Sequence, residues 1–200
     1  MDQKLLAWGR AAASRGRHRV RTRGKPFPSL WLFTDSHRLP DPRGAVARLP
    51  RGRAGVVFRH DAHPHRVALG HDLARICRAR RLCLVVAGDT RLAASLGAGV
   101  HLRGGRWPGP ARVRGFVTSS AHDAAEMRRA ARAGAGLVFL SPAFVTASHP
   151  GAPSPGPVRW SFLARRACVP IAALGGIDGG SVRRLSRRFC HGVGAIGALA

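Results

Sequence analysis

His122 and Glu126 stand four residues apart in the run Ser-Ala-His-Asp-Ala-Ala-Glu, so their side chains share one face where a helix begins. An imidazole titrates near neutrality and can take or give a proton, and a carboxylate one turn away can orient it. Glu126 is the only glutamate in the chain. The pair also reads as a helix-start imidazole beside a carboxylate favoured by the helix dipole, and the sequence leaves both readings open. A second set follows an apolar run. Leu137-Val138-Phe139-Leu140 has the pattern of a strand buried on both faces. Ser141-Pro142 stops it, and the loop behind carries Thr146, Ser148 and His149. A third set acts through the backbone. Pro170–Leu174 ends in Gly175-Gly176, and Ile196-Gly197 sits in a Gly-rich run near the C-terminus. Glycine lets N–H groups approach an anion closely, so these four positions are candidates to bind a phosphate, against the plainer reading as turns. Arg59, just after a buried strand, is a candidate phosphate clamp, against an ordinary surface arginine. Ser120 lies at the end of the strand before His122.

The elements that must position these residues repeat eight times. Apolar runs predict strands at Leu30–Thr34, Gly55–Phe58, Leu82–Val86, Gly99–Leu102, Gly115–Ser119, Leu137–Leu140, Pro170–Leu174 and Gly192–Ala198. Helical spacing or capping predicts helices over Pro64–Arg80, Thr90–Leu96 behind Asp89, Ser120–Arg132 ending at Gly134, Trp160–Ala167 and Ser181–Phe189. The Gly- and Pro-rich stretch Arg103–Arg114 carries no helical signal. Strands alternating with helices imply an α/β fold, and eight of them imply a small (β/α)8 TIM barrel over residues 29–200. An open doubly wound sheet is the alternative. The chain ends at Ala200, so the last outer helix is expected to be missing. Residues 1–28 read as a basic, flexible N-terminal extension, with a short amphipathic helix possible over Leu5–Ala13 and available to cover that gap.

A formal net charge of +25 raises the question of nucleic acid. Only Lys4 and Lys25 are lysines, the arginines are scattered, and Arg, Ala, Gly and Pro are abundant together while Tyr is absent. That composition suits a GC-rich genome better than a selected basic face. No specific nucleic-acid partner is expected, only salt-sensitive attraction to polyanions. No apolar run is long enough to span a bilayer, and the N-terminus has no continuous apolar core for a signal peptide, so no membrane partner is expected. Cys77, Cys83, Cys168 and Cys190 form no CxxC or CxxxC pair, which argues against a metal or disulfide framework and for a reducing cytoplasm. A homo-oligomer stays open.

From Leu30 to Leu199 the chain resembles the thiamine phosphate synthase/TenI family. The likeness rests on LWLFTD, GVHL, SAHDAAE, AGLVFLSPAFVTASHPG, PIAALGGI and GVGAIGAL, in that order. Where the family carries Gly-Pro-x-Phe-x-Thr-x-Thr-Lys, this chain has Ser-Pro-Ala-Phe-Val-Thr-Ala-Ser-His. The resemblance implies a (β/α)8 barrel in thiamine biosynthesis that binds a thiazole phosphate. In the synthases, a hydroxymethylpyrimidine diphosphate loses pyrophosphate with Mg²⁺, and the pyrimidine cation is captured by the thiazole nitrogen. By position, Thr146 and Ser148 match the thiazole-phosphate loop, and Gly175 or Gly176 with Ile196 and Gly197 match its phosphate site. Ser120 and Arg59 match residues that hold the diphosphate. The departures concern the metal. The family's Asn-Asp after the third strand falls on Ala87-Gly88, leaving Asp89 one residue out of register as a possible ligand. Its second metal aspartate falls on Arg106, the loop lysine on His149, and the Gln and Lys flanking the arginine on Val57 and Asp61. The TenI branch, thiazole tautomerases, needs no metal and uses a histidine where His122 stands. The resemblance therefore implies a synthase with Mg²⁺, a tautomerase without a cofactor, or a non-catalytic thiazole-phosphate binder.

Overall fold

The computed structural model describes residues 1–14, 21–22, 25–109, 115–146 and 156–200. Eight strands run parallel and close on themselves. They are β1 (Leu30–Phe33), β2 (Ala54–Phe58), β3 (Cys83–Ala87), β4 (Gly99–Leu102), β5 (Val117–Ala121), β6 (Leu137–Leu140), β7 (Ile171–Leu174) and β8 (Gly192–Ala195). They follow chain order around the ring. The seam pairs β8 with β1 through Val193–Leu30, Gly194–Trp31 and Ala195–Leu32. That seam leaves no sheet edge and rules out the open doubly wound alternative. Six helices lie outside: α1 (Gln3–Ser14), α2 (Arg43–Arg48), α3 (Arg66–Arg80), α4 (Thr90–Ser95), α5 (Ala124–Arg132) and α6 (Gly156–Arg165). Asp89 and Asp123 cap α4 and α5 by accepting the N–H groups of Leu92 and Glu126.

Several boundaries fall elsewhere than the sequence suggests, α2 is not signalled at all, and two of the differences bear on the site. The helix expected over Ser181–Phe189 is a single 3-10 turn, Ser181–Arg184. Arg183–Arg187 and Arg184–Arg188 would be like-charge pairs one turn apart in a longer helix. Leu185 instead leaves the turn extended and buries its side chain. The fifth strand begins at Val117 rather than Gly115 and ends at Ala121, so Ser120 lies within the strand.

Strand side chains alternate between two cores. Leu32, Val56, Phe58, Val86 and Val138 face the outer helices. Trp31, Phe33, Val57, Val85, Leu137 and Phe139 fill the barrel. Room inside is short. A Cβ on Gly55 would run into the Trp31 ring, and one on Gly194 would lie 2.6 Å from Phe33 Cε2. These glycines are where they are because large rings need the space. Phe33 stands edge-on to Phe139, with centroids 4.8 Å apart, and to His101 at 5.5 Å. His101 Nδ1 is 2.9 Å from the Thr118 hydroxyl. Burial, aided by the charges of Arg59 and Arg103, pushes the His101 pKa down to about 3.

Beyond β8 the chain makes only a 3-10 turn, Gly197–Leu199. The outer face beside β8 and β1 is covered from the other end of the chain. Leu5, Leu6 and Trp8 of α1 are buried in the outer core. Gly9 abuts Leu30 of β1, and Ser29 Oγ donates to the Gly9 carbonyl at 2.9 Å. The Asp2 carboxylate caps α1 by accepting from Lys4 and Leu5, and also accepts from Gly179 N–H at 2.7 Å. Asp2 N–H donates to the Ala198 carbonyl at 2.8 Å. The flexible extension expected over residues 1–28 is therefore corrected for residues 3–14, which are part of the barrel's outer layer. A twelve-residue amphipathic helix is marginal alone, and burial against β8 and β1 holds it.

Trp8→Ala should lower unfolding free energy by roughly 3–5 kcal/mol, as for a core aromatic, when measured by urea denaturation. A loss below about 0.5 kcal/mol would return residues 3–14 to the status of an appendage. His101 gives a pH signature. Its folded pKa lies below its unfolded value, so the stability it contributes is full above about pH 6.5 and falls as pH drops toward 3. That slope is up to about 1.4 kcal/mol per pH unit. His101→Gln should flatten the stability profile between pH 6 and 4.5 by about one proton's worth. An unchanged slope would contradict the burial.

Candidate functional site

Parallel closure sends all eight strand C-termini to one rim, and a cavity of about 1050 Å³ opens there. Phe33, His101 and Leu174 are among its lining. So are Arg59, Ser120, His122, Glu126, Thr146, Gly175, Gly176, Ile196 and Gly197, which brings nine of the residues named from sequence to one surface. Ser148 and His149 lie outside the described residues. Asp89 does not line the cavity.

One side of the mouth is backbone. Ala143 N–H donates to the Leu174 carbonyl at 2.8 Å and Phe144 N–H to the Gly175 carbonyl at 3.1 Å. These bonds bring the loop after β6 to the end of β7, so that Thr146 joins Gly175 and Gly176 in the lining. Both glycines have positive φ, 91° and 63°, which a side chain would strain. A Cβ on Gly175 would also lie 3.0 Å from Pro142 Cα. Ser181 Oγ donates to the Gly176 carbonyl at 2.8 Å, and Asp2 bridges Gly179 and Ala198, the loops after β7 and β8. The N–H groups of Gly176 and Gly197 have no acceptor among the described residues. Free N–H groups on a fixed loop suit an anion.

The other side carries guanidinium groups. Thr34 Oγ1 accepts from Arg59 N–H at 2.8 Å and lies 2.9 Å from His60 Nδ1, so the buried His60 serves the scaffold beneath Arg59. Arg59 Nη2 reaches Asp35 Oδ2 at 3.1 Å. Burial works to raise the Asp35 pKa. The N–H groups of Arg38 and His37, with the charges of Arg38 and Arg59, outweigh it and hold the carboxyl below its ordinary range. Arg103 Nη2 pairs with Asp61. Arg103 lines the cavity, whereas the exposed Arg106 does not. The sequence pointed at Arg106 by register, yet Arg103 directly follows β4, where strand-end side chains meet the mouth.

Between the two sides stand Ser120 and His122. Ser120 Oγ accepts from Gly104 N–H at 3.4 Å. Glu126 Oε2 takes both the His122 backbone N–H and its Nδ1, each at 2.9 Å, while Oε1 lies 3.4 Å from Arg129 Nη2. The carboxylate thus fixes the imidazole through Nδ1 and leaves Nε2 for a ligand. The pairing read from the four-residue spacing is present.

A Mg²⁺ ion, which the family resemblance implies for a synthase, does not fit the donors. Asp89 Oδ1 accepts from Leu92 N–H at 2.9 Å, and its Oδ2 holds Arg66 Nη1 at 2.6 Å. Burial works to raise its pKa, but the Leu92 N–H and Arg66 outweigh that and hold it below the ordinary range. Mg²⁺ takes carboxylate oxygens in near-octahedral geometry. Here a cation would have to displace guanidinium groups from Asp35, Asp61 or Asp89. No group of three His, Cys, Asp or Glu side chains is placed to hold a metal among the described residues.

Comparison with known proteins bears on the fold and the family. The thiamine-phosphate synthase of Methylococcus capsulatus is 33% identical over 168 residues, covering 76% of this chain and 74% of its own. That of Roseiflexus castenholzii is 30% identical over 200 residues, covering 90% and 86%. The structure of a thiamine phosphate pyrophosphorylase from Pyrococcus furiosus superposes with a TM-score of 0.69 at 20% identity, covering 85% of this chain and 86% of that one, and shows the shared fold. The thiamine monophosphate synthase model matches residues 32–199. With the match spanning every barrel strand save the first two residues of β1, the chain belongs to the thiamine monophosphate synthase family.

Proposed function

We propose that this chain is a transferase of thiamine biosynthesis that joins a thiazole phosphate to a hydroxymethylpyrimidine diphosphate. The observation that carries the reading is a single cavity with free backbone N–H groups on one side and arginines on the other. Gly175, Gly176, Ile196 and Gly197 would take the thiazole phosphate, with Thr146 beside it, and Ser148 and His149 would extend the same loop. Arg59 and Ser120 would hold the diphosphate. The C–O bond to pyrophosphate breaks, and its electron pair leaves with that group. The thiazole nitrogen lone pair then forms the new C–N bond. This sequence consumes no proton, and its main demand is stabilisation of the departing negative charge by groups already in place. Small phosphorylated substrates suit a protein in which no described helix is long and apolar enough to cross a membrane.

A specific observation favours a second reading. The His122–Glu126 pair faces the cavity, and coupling gives it no proton to move. A thiazole tautomerase would use it: Nε2 takes a proton from one ring atom and returns it to another, with no cofactor.

The two readings separate cleanly. Coupling should give thiamine phosphate and pyrophosphate from the two substrates, with His122→Ala retaining the reaction and Arg59→Ala losing about a hundredfold or more in kcat/KM. Product absent at high enzyme concentration would remove coupling. Solvent deuterium entering the thiazole, and lost in His122→Ala, would establish the tautomerase instead. The phosphate end has its own test. Among the described residues, chain neighbours aside, no atom lies within 4 Å of a Cβ built on Gly197. Gly197→Asp should therefore fold normally yet weaken thiazole-phosphate binding by roughly tenfold or more through like-charge repulsion, read by calorimetry. Unaltered binding would move the phosphate elsewhere.

A further inference from the structure

The aspartates around the mouth share one arrangement. Asp35 is held by Arg59, Asp61 by Arg103 and by Arg66 at 3.5 Å, and Asp89 by Arg66 and the first turn of α4. Arg66 is anchored further by its Nη2 bond to the Ala87 carbonyl at 3.1 Å. These contacts set the direction of each guanidinium. Arg59 and Arg103 each use Nη2 on a carboxylate, and their Nε and Nη1 groups have no protein acceptor among the described residues. Arg103 follows β4, opposite β8 in the ring, and Arg59 follows β2, separated from β8 by β1 alone; the free backbone N–H groups lie after β7 and β8. A guanidinium pinned at one nitrogen presents its remaining N–H groups in a fixed fork, the geometry that suits phosphate oxygens.

We propose that Arg59 and Arg103 together hold the diphosphate end of the second substrate, and that they do so without a divalent cation. The inference rests on the proposed coupling reading and deepens it. Where a metal would bridge two phosphates from carboxylates, two guanidinium groups supply the positive charge directly, and the aspartates orient them. Arg103 is the new member of the site, and its side chain is 58% exposed, so its replacement leaves the barrel's packing alone.

Inorganic pyrophosphate is the probe. It is titrated into the full chain by calorimetry at about 0.15 M salt, where diffuse charge attraction is screened. One series contains EDTA and the other Mg²⁺, compared at equal free pyrophosphate. Affinity should agree within about threefold between the series. Arg103→Ala and Arg59→Ala should each weaken binding roughly tenfold in EDTA, and Arg103→Lys should recover only part of it, since an ammonium lacks the fork. Arg165→Ala, on the outer helix α6, should bind like the parent. Binding that is more than about tenfold tighter with Mg²⁺, an Arg103→Ala effect below about twofold, or an equal loss in Arg165→Ala would each overturn the proposal. Thiazole phosphate is titrated in parallel. If it fails to bind while pyrophosphate behaves as stated, the coupling reading fails and the arginine site stands.

Discussion

Closure of the parallel ring is the constraint on which the rest depends. Eight strands of four or five residues leave a narrow interior, and inward side chains must fill it without exceeding it. Trp31 and Phe33 fit because Gly55 and Gly194 yield the space beside them. The filled interior then serves as a floor. Phe33 and His101 both pack in the barrel and line the cavity above it, so the base of the site is as fixed as the core. A site built on strand ends inherits that rigidity, and only its loops need further fastening.

The fastening comes from an unexpected place. The loops after β7 and β8, which carry the candidate phosphate glycines, are bridged by Asp2 through its carboxylate and its backbone N–H. Hydrogen bonds from Gly179, Lys4 and Leu5 hold that carboxyl below its ordinary range, and the Leu5 bond contributes most. The helix it caps is the one that covers the seam between β8 and β1. One residue at the start of the chain thus connects barrel closure to the shape of the mouth.

Much of this was legible in the sequence. Apolar runs located most of the eight strands because strands buried on both faces are mostly apolar, β5 with its buried Thr118 and Ser119 being the exception. Asp89 was readable as a cap from residue type alone, whereas the Asp123 cap was not, because the helix behind it was expected to start at Ser120. The pairing of His122 with Glu126 followed from a four-residue spacing within one element. What was not legible depends on contacts distant in sequence. A helix over Leu5–Ala13 was readable as a possible cover for the barrel, but the bonds of Asp2 to the loops after β7 and β8 were not. Arg103 looked like the first residue of an irregular loop, and its role as a mouth arginine appears only when β2 and β4 are placed in one ring with Asp61 between them. Conversely, Asp89 reads as a helix cap and a possible metal ligand, and nothing near it in sequence signals Arg66, 23 residues earlier, which occupies its other oxygen.

The same arginines bear on the choice of chemistry. A net charge of +25 reads as a compositional accident when taken as a total. At the mouth it is not diffuse, because aspartates divide it into oriented pairs. Each pair lowers the cost of holding a guanidinium in one position before a ligand arrives, the preorganisation that the proposed coupling reaction would use on its departing diphosphate. A carboxylate that would serve a metal in another arrangement here aims an arginine. The pairs also act on the floor, since the charges of Arg59 and Arg103 help burial keep His101 neutral. A neutral imidazole beneath an electropositive rim adds no repulsion for a pyrimidine cation formed above it. A protonated one would oppose that cation in a region of low dielectric. In the proposed coupling reaction, the guanidinium groups that would draw the diphosphate away also help burial keep the base of the cavity uncharged.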